Sequence, residues 1–245
     1  MIHMDFIEIL TMKIHTIIFN WRGQYNKTLE KIEQFKAIGI TPTVINSDEG
    51  FFLDDWYNIG EESYFTAQFL KAIEVFDGDV LFHIQGDASY DNWEKLIEDA
   101  KKYYDEYKWG IFAPNIDYTW YDSSRTDLDM FTIDDTPLKM VATPDCTCWF
   151  IHKDIISETK KREINFAPYK WGWSFDLVYS SLSHMMKRPV LRDYSHTVKH
   201  PIGTNYAKDE AEKEMVQLFE TLPNDIKQAF AYIKSDRYNL ATYYA

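Results

Sequence analysis

Short apolar runs alternate with amphipathic segments along the first half of the chain. Runs rich in β-branched and aromatic residues predict buried strands at residues 14–20, 43–46, 80–84 and 109–114. Between them, apolar residues recur every three or four positions and predict helices at residues 26–38, 61–76 and 92–104. This alternation predicts an α/β fold with a mostly parallel central sheet, flanked by helices and joined by right-handed crossovers.

The second half is less regular. Residues 118–136 are polar and predict a long loop or a small hairpin. Further strands are predicted at residues 146–152 and 189–193, and helices at residues 154–159, 175–186, 207–222 and 223–235. We therefore expect one Rossmann-like domain over residues 14–206. A loose N-terminal extension, residues 1–13, would precede it, and a C-terminal helical extension, residues 207–245, would pack on the same domain.

Composition and charge exclude several classes of protein. With 45% hydrophobic and 27% charged residues, the 245-residue chain has an ordinary globular composition, which excludes disorder as the main state. A net charge of −13 disfavours broad attraction to nucleic acid or to anionic membranes. The chain has no apolar run long enough for a membrane span and no start typical of a signal peptide. Its two cysteines, Cys146 and Cys148, suggest free thiols in a reducing compartment, so we expect a cytoplasmic location.

Polar residues follow three of the predicted strands. In sheets of this kind ligands bind beyond the carboxyl ends of the strands, which singles out residues 20–22, 47–49 and 85–89. Asp87 and Ser89 offer oxygen ligands of the kind that Mn²⁺ or Mg²⁺ prefers. The alternative is a turn in which the same two side chains cap the next helix.

Other candidate residues lie elsewhere in the chain. The segment Trp171-Gly172-Trp173-Ser174-Phe175-Asp176 predicts an aromatic wall beside a carboxylate that could act as a general base, or else a helix N-cap among buried aromatics. His196 and His200 are either metal ligands or hydrogen-bonded loop residues. Arg22 and Lys27 either face a phosphate or are solvated surface charges.

The order of these motifs resembles that of the GT-A fold nucleotide-sugar glycosyltransferases, especially the glycosyltransferase family 2 type, over residues 14–206. Asn20-Trp21-Arg22 resembles the end of that family's first strand, and Ile45-Asn46-Ser47-Asp48 resembles the second strand end, whose acid meets the nucleotide base. Residues 80–87 resemble the strand that runs into the Asp-x-Asp metal motif. Residues 171–176 resemble the segment whose Asp is the catalytic base in inverting members, and residues 198–206 resemble a late segment whose His completes the metal site.

The resemblance implies a glycosyltransferase that moves a sugar from a nucleotide-diphosphate donor, most often a UDP-sugar, to an acceptor hydroxyl. It implies inversion, a Mn²⁺ or Mg²⁺ requirement and Asp176 as the base. The implied metal ligands are Asp87, Ser89 and His200, with His196 less favoured. The implied donor-binding residues are Asn20, Trp21, Arg22, Asp48, Gln85, Asp87, Trp171 and Trp173, and Trp120 is a further candidate for stacking on a sugar. The metal motif departs from the family pattern because it is Gln85-x-Asp87 or Asp87-x-Ser89, with one carboxylate.

Two other functions stay open from the sequence. A sugar-phosphate nucleotidyltransferase would need a glycine-rich loop after the first strand, where this chain has only Gly23. A non-catalytic nucleotide-sugar-binding protein on the same fold would fit the reduced metal motif. For the acceptor, a glycan or a lipid-linked sugar is favoured, and the acidic charge disfavours a modified base in DNA.

Overall fold

The computed structural model describes residues 12–60, 63–117, 129–201 and 207–235. The described strands are β1 Ile14–Asn20, β2 Thr43–Asn46, β3 Tyr57–Asn58, β4 Val80–Gln85, β5 Ile111–Asp117, β6 Asp129–Thr132, β7 Leu138–Val141, β8 Cys148–His152 and β9 Val190–Lys199. The described helices are α1 Tyr25–Ala37, α2 Phe65–Val75, α3 Trp93–Tyr107, α4 Lys153–Lys161, α5 Phe175–Met185, α6 Lys208–Thr221 and α7 Asn224–Ser235. The predicted N-terminal extension lies almost entirely outside these residues.

The nine described strands form one sheet in the order β3-β2-β1-β4-β8-β5-β9-β7-β6. Parallel pairing joins β1 to β2 and β4, β2 to β3, and β5 to β9. Antiparallel pairing joins β8 to β4 and β5, and β7 to β6 and β9. The expected mostly parallel arrangement is therefore corrected to a mixed sheet, because no helix among the described residues separates β5 from β8, and a parallel neighbour needs such a crossover.

Two apolar layers cover the sheet. On one face the buried cluster includes Phe69, Trp149 and Phe175, and on the other it includes Phe35 and Trp93. The C-terminal helices belong to the first layer, since four of their apolar residues are buried in it: Leu218, Leu222, Ile226 and Phe230. The amphipathic stripes that predicted these helices are the faces that the helices bury.

The carboxyl ends of β1, β2, β4, β5 and β9 lie at the same edge of the sheet, because these strands share one direction. Strand β9 is longer than the predicted residues 189–193 and is irregular. Its pairing with β5 jumps from Asp193 to Thr197, so three residues bulge out of the ladder before the strand resumes. This extension carries the chain to His200 at the carboxyl edge. Within the described ranges, no helix is both long and apolar enough to cross a bilayer.

Candidate functional site

The loop after β4, residues 85–89, is held tightly against the end of β1. A Cβ atom on Gly86 would lie 2.5 Å from the carbonyl oxygen of Phe19, so only glycine allows this approach. Beneath the loop, the buried Lys31 Nζ donates hydrogen bonds to the carbonyls of Gly86 at 2.7 Å and Ala88 at 2.5 Å. Burial lowers the pKa of Lys31 to about 8. Lys31 could not be singled out from the sequence, because it looks like one more polar position of an amphipathic helix.

The same loop is tied to the end of β9. Ser89 and Lys199 exchange two backbone hydrogen bonds of 2.9 Å, which brings His200 Nε2 to 3.7 Å from Asp87 Oδ2. Asp87 is buried, and its Oδ1 has no hydrogen-bond partner among the described residues. Burial raises the pKa of Asp87, while the charge of His200 opposes that rise. A buried carboxylate oxygen without a partner, next to an imidazole, fits the ligand preferences of a divalent cation.

Ser89 and Gln85 lie at the two ends of this loop. The Ser89 side chain is exposed, and its backbone carries the link to Lys199. Gln85 is half-buried and donates its backbone N–H to the carbonyl oxygen of Thr147, just before β8. Asp87, Ser89 and His200 are therefore brought together at the carboxyl edge, as three of the four implied metal ligands.

The end of β2 presents a second unpartnered carboxylate oxygen. Asp48 is buried, and its Oδ1 accepts a hydrogen bond from Gly50 N at 2.9 Å. Its Oδ2 is buried and has no hydrogen-bond partner in the described part of the chain. An acceptor oxygen in this state is costly unless a donor reaches it, and the N–H group of a ligand is such a donor.

Asn20 supports this strand end from within. Its Nδ2 donates to Asn46 Oδ1 at 2.7 Å, and its Oδ1 accepts from Thr28 Oγ1 at 2.8 Å. Asn46 Oδ1 also accepts from the backbone N–H of Asp48 at 2.9 Å. Asn20 is fully buried, and both ends of its side-chain amide are used in these hydrogen bonds. It therefore positions the strand end that carries Asp48.

The Trp-Gly-Trp segment packs on the start of α2 at the same edge of the sheet. A Cβ atom on Gly172 would overlap the ring of Phe65, and the rings of Phe65 and Phe175 lie 5.7 Å apart in an edge-to-face contact. Ser174 adopts a left-handed backbone with a φ of 79° before α5 begins. The half-buried Asp176 lies in the first turn of α5, and its Oδ1 accepts a hydrogen bond from Leu177 N at 2.9 Å.

The aromatic candidates differ in their surroundings. The ring of Trp171 meets that of Tyr64 edge to face at 4.6 Å, and its backbone N–H donates to Glu214 Oε2 at 2.8 Å. Trp173 is half-buried, and Trp21 is half-buried against the core, whereas Arg22 is exposed. Trp120 and residues 202–206 lie outside the described residues.

His196 contacts two carboxylates that the sequence analysis did not propose as its partners. His196 lies in the bulge of β9 and faces Asp99 of α3 and Asp193 of β9. The three residues together form a buried group that fits metal binding. The sequence did not single out either carboxylate, because nothing in the spacing of residues 99, 193 and 196 links a helix to a bulged strand.

Comparison with known proteins extends these observations. No family model and no curated protein matches the sequence. Among solved structures, the chain is similar to TarS 1-349 from S. aureus in complex with UDP-GlcNAc, with a TM-score of 0.58 and 11% identity over 93% of this chain and 73% of that one. It is also similar to GalNAc-T7 with UDP, GalNAc and Mn²⁺, with a TM-score of 0.61 and 10% identity over 97% of this chain. The chain spans 59% of the GalNAc-T7 chain.

Identities of 10–11% carry no residue-by-residue correspondence, so the likeness concerns the fold. It confirms the expected architecture: the chain has the GT-A fold, an α/β sheet with helices on both faces. That fold is the one found in both glycosyltransferase structures.

Proposed function

We propose that the chain is a glycosyltransferase that moves a sugar from a nucleotide-diphosphate donor to an acceptor hydroxyl, with inversion and with the help of a divalent metal ion. Residues 14–206 would form the catalytic domain, with the C-terminal helices packed on it. The donor would be a UDP-sugar, which is supported by the UDP-GlcNAc and the UDP present in the two similar structures. We propose a cytoplasmic protein that acts on a glycan or a lipid-linked sugar.

The observation that carries this proposal is a pair of buried carboxylate oxygens without hydrogen-bond partners among the described residues, Asp48 Oδ2 and Asp87 Oδ1. Each follows a strand that ends at the carboxyl edge of the sheet, where ligands of such sheets bind. Asp48 Oδ2 would accept a hydrogen bond from an N–H group of the nucleotide base. Asp87, beside His200, suits a cation at the diphosphate.

Asp87, His200 and the exposed Ser89 are the residues that would hold a Mn²⁺ or Mg²⁺ ion. A divalent ion supplies charge neutralisation for the diphosphate leaving group as the glycosidic bond breaks. The protein's own part is to fix the loop: Lys31 holds its carbonyls from below and Lys199 holds Ser89 from the side. Arg22, Trp21 and Gln85 border this strand edge and complete the proposed donor site.

Asp176 is the proposed general base. A carboxylate at the start of a helix, in a half-buried position, can accept the proton of the acceptor hydroxyl as that oxygen attacks the anomeric carbon. Its backbone hydrogen bond from Leu177 fixes one oxygen of the carboxylate. Trp171 and Trp173 flank the same segment and are proposed to face sugar rings.

A thermal-shift panel tests the proposal. The chain would be heated with a series of nucleotide-diphosphate sugars, each with Mn²⁺ and with chelator, because a ligand that binds only the native state raises the melting temperature. We expect a shift with one nucleotide class that requires Mn²⁺, and transfer or slow donor hydrolysis under the same conditions. The variant Asp91→Asn is the control, because Asp91 is exposed just beyond the loop, and it should give the same shift as the wild type. A panel without any shift would contradict the proposal.

The single carboxylate of the metal motif favours one second candidate, a nucleotide-sugar-binding protein without catalysis. In that case the same panel would give a shift with a donor, but neither transfer nor hydrolysis would follow on prolonged incubation with Mn²⁺.

A further inference from the structure

A buried group of three side chains lies beside the bulge of β9. His196 Nε2 is 2.9 Å from Asp99 Oδ2 and 3.7 Å from Asp193 Oδ2, and one ligand atom from each side chain lies within 4.8 Å of the others. Asp99 comes from α3, while the other two residues come from the strand. The three side chains thus converge from two separate elements on one point.

The outward atom of each side chain is held by a different partner. His196 Nδ1 lies 2.7 Å from the hydroxyl of Tyr90, and Asp99 Oδ1 accepts a 2.8 Å hydrogen bond from Lys95 Nζ. Asp193 Oδ1 accepts from the N–H and the hydroxyl of Ser195, at 2.8 and 2.6 Å. Metal ligands in proteins are oriented in this way, with the non-ligating atom bound to a supporting group.

Asp193 supplies the second, independent observation. Its side chain is completely buried, and its inward oxygen, Oδ2, has no hydrogen-bond partner among the described residues. A buried carboxylate oxygen in that state is costly unless a hydrogen-bond donor or a cation reaches it, and a metal ion held with His196 and Asp99 would be such a cation. The bulge turns this oxygen toward His196 and away from the regular strand ladder.

We propose that Asp99, Asp193 and His196 bind a Zn²⁺ ion, with a water molecule as its fourth ligand, at a site separate from the proposed donor site. Zinc bonds of about 2.0–2.2 Å in a tetrahedral arrangement require ligand atoms roughly 3.3 Å apart. The observed separations of 2.9 and 3.7 Å lie on either side of that spacing. With the proton of His196 on Nδ1, that atom donates to the hydroxyl of Tyr90 and Nε2 ligates the metal.

Such an ion would join α3 to β9, and through Tyr90 it would join both to the loop after β4. Tyr90 follows Ser89 directly, so the ion would stabilise the loop that carries Asp87 without touching a donor. The inference does not depend on the proposed transferase activity, since the ligand is the metal alone.

The test is a calorimetric titration of the full chain, stripped with chelator, with Zn²⁺ alone. We expect one tightly bound equivalent in the wild type and in Asp87→Asn, which removes the carboxylate of the other proposed site. Asp193→Asn keeps the acceptor for Ser195 and should lower the affinity for Zn²⁺ at least about tenfold. Tyr90→Phe should lower it by roughly 10- to 100-fold, and it serves as the second variant if Asp193→Asn does not fold.

Equal zinc affinity in the wild type and in the variants of Asp193 and Tyr90 would overturn the proposal. Failure of the wild type to bind a stoichiometric equivalent would also overturn it. Loss of the tight equivalent in Asp87→Asn alone would assign the zinc to the loop after β4 and likewise exclude this site.

Discussion

Lys31 donates a 2.7 Å hydrogen bond from its buried ammonium group to the carbonyl of Gly86, at the turn that presents Asp87. A second hydrogen bond to Ala88 makes this lysine the support of the whole loop. The cost of burying the ammonium group is offset by these two carbonyls and by the charge of Asp87. The loop after β4 is therefore supported by the buried ammonium group of Lys31.

Replacement of Lys31 by methionine should lower the free energy of unfolding by roughly 2 kcal/mol, because two buried carbonyls lose their donor. Urea unfolding measures this difference. Lys36→Met is the matched control in the same helix, since the Lys36 side chain is 54% exposed and its ion pair with Glu33 lies on the surface. The control should stay within about 0.5 kcal/mol of the wild type. Equal losses in the two variants would contradict the support role.

His200→Gln should weaken donor binding in the presence of Mn²⁺ by roughly tenfold, because the imidazole beside Asp87 is lost. Affinity in chelator should be almost the same in variant and wild type. His15→Gln is the control, since His15 lies near the amino end of β1, at the opposite edge of the sheet. Binding that responds to Mn²⁺ equally in wild type and His200→Gln would remove His200 from the metal site.

Asp176→Asn should keep donor affinity and lower the rate of sugar transfer by at least about 100-fold, the range found for general bases. The amide has almost the shape of the carboxylate, but it cannot take the proton of the acceptor. Transfer rates and donor binding would be measured on the same preparation, with the exposed Asp209→Asn as the control in the first turn of α6. A variant that transfers sugar at the wild-type rate would exclude Asp176 as the base.

Acid should destabilise the protein through His83. Burial lowers the pKa of His83 to about 3, so below its ordinary value near 6.5 the unfolded chain binds a proton that the native state does not. Stability due to this residue is therefore complete above pH 6.5 and falls as the pH is lowered toward 3. Relative to His83→Asn, which keeps an acceptor for Trp149 Nε1, the wild type should lose about 2 kcal/mol between pH 7 and pH 5.

Urea unfolding of the two proteins at both pH values measures that difference. A difference in stability between the two proteins that does not change with pH would mean that His83 has the same pKa in the native and unfolded states. His184 is also buried, and its pKa is lowered to about 4, so it should lose stability in acid in the same way. Because both proteins contain His184, its contribution cancels in the difference between them.

The pattern of apolar residues was sufficient to predict β1 and β2 at their observed bounds and most helices to within a few residues. A buried strand or a buried helix face requires apolar residues at a regular spacing, and that spacing is visible in a single sequence. The placement of Asp48 and Asp87 just beyond strand ends could be predicted for the same reason, because both residues follow apolar runs that must end at the edge of a sheet.

Only the tertiary structure decided how distant segments meet. The antiparallel insertion of β8 between β4 and β5, the bulge of β9, and the approach of His200 to Asp87 depend on pairings between residues far apart in sequence. Lys31 and Asp99 look like ordinary polar positions of amphipathic helices, and their burial follows from what packs against them. Periodicity records which face of an element is buried, but the partner across that face is set by the folded chain as a whole.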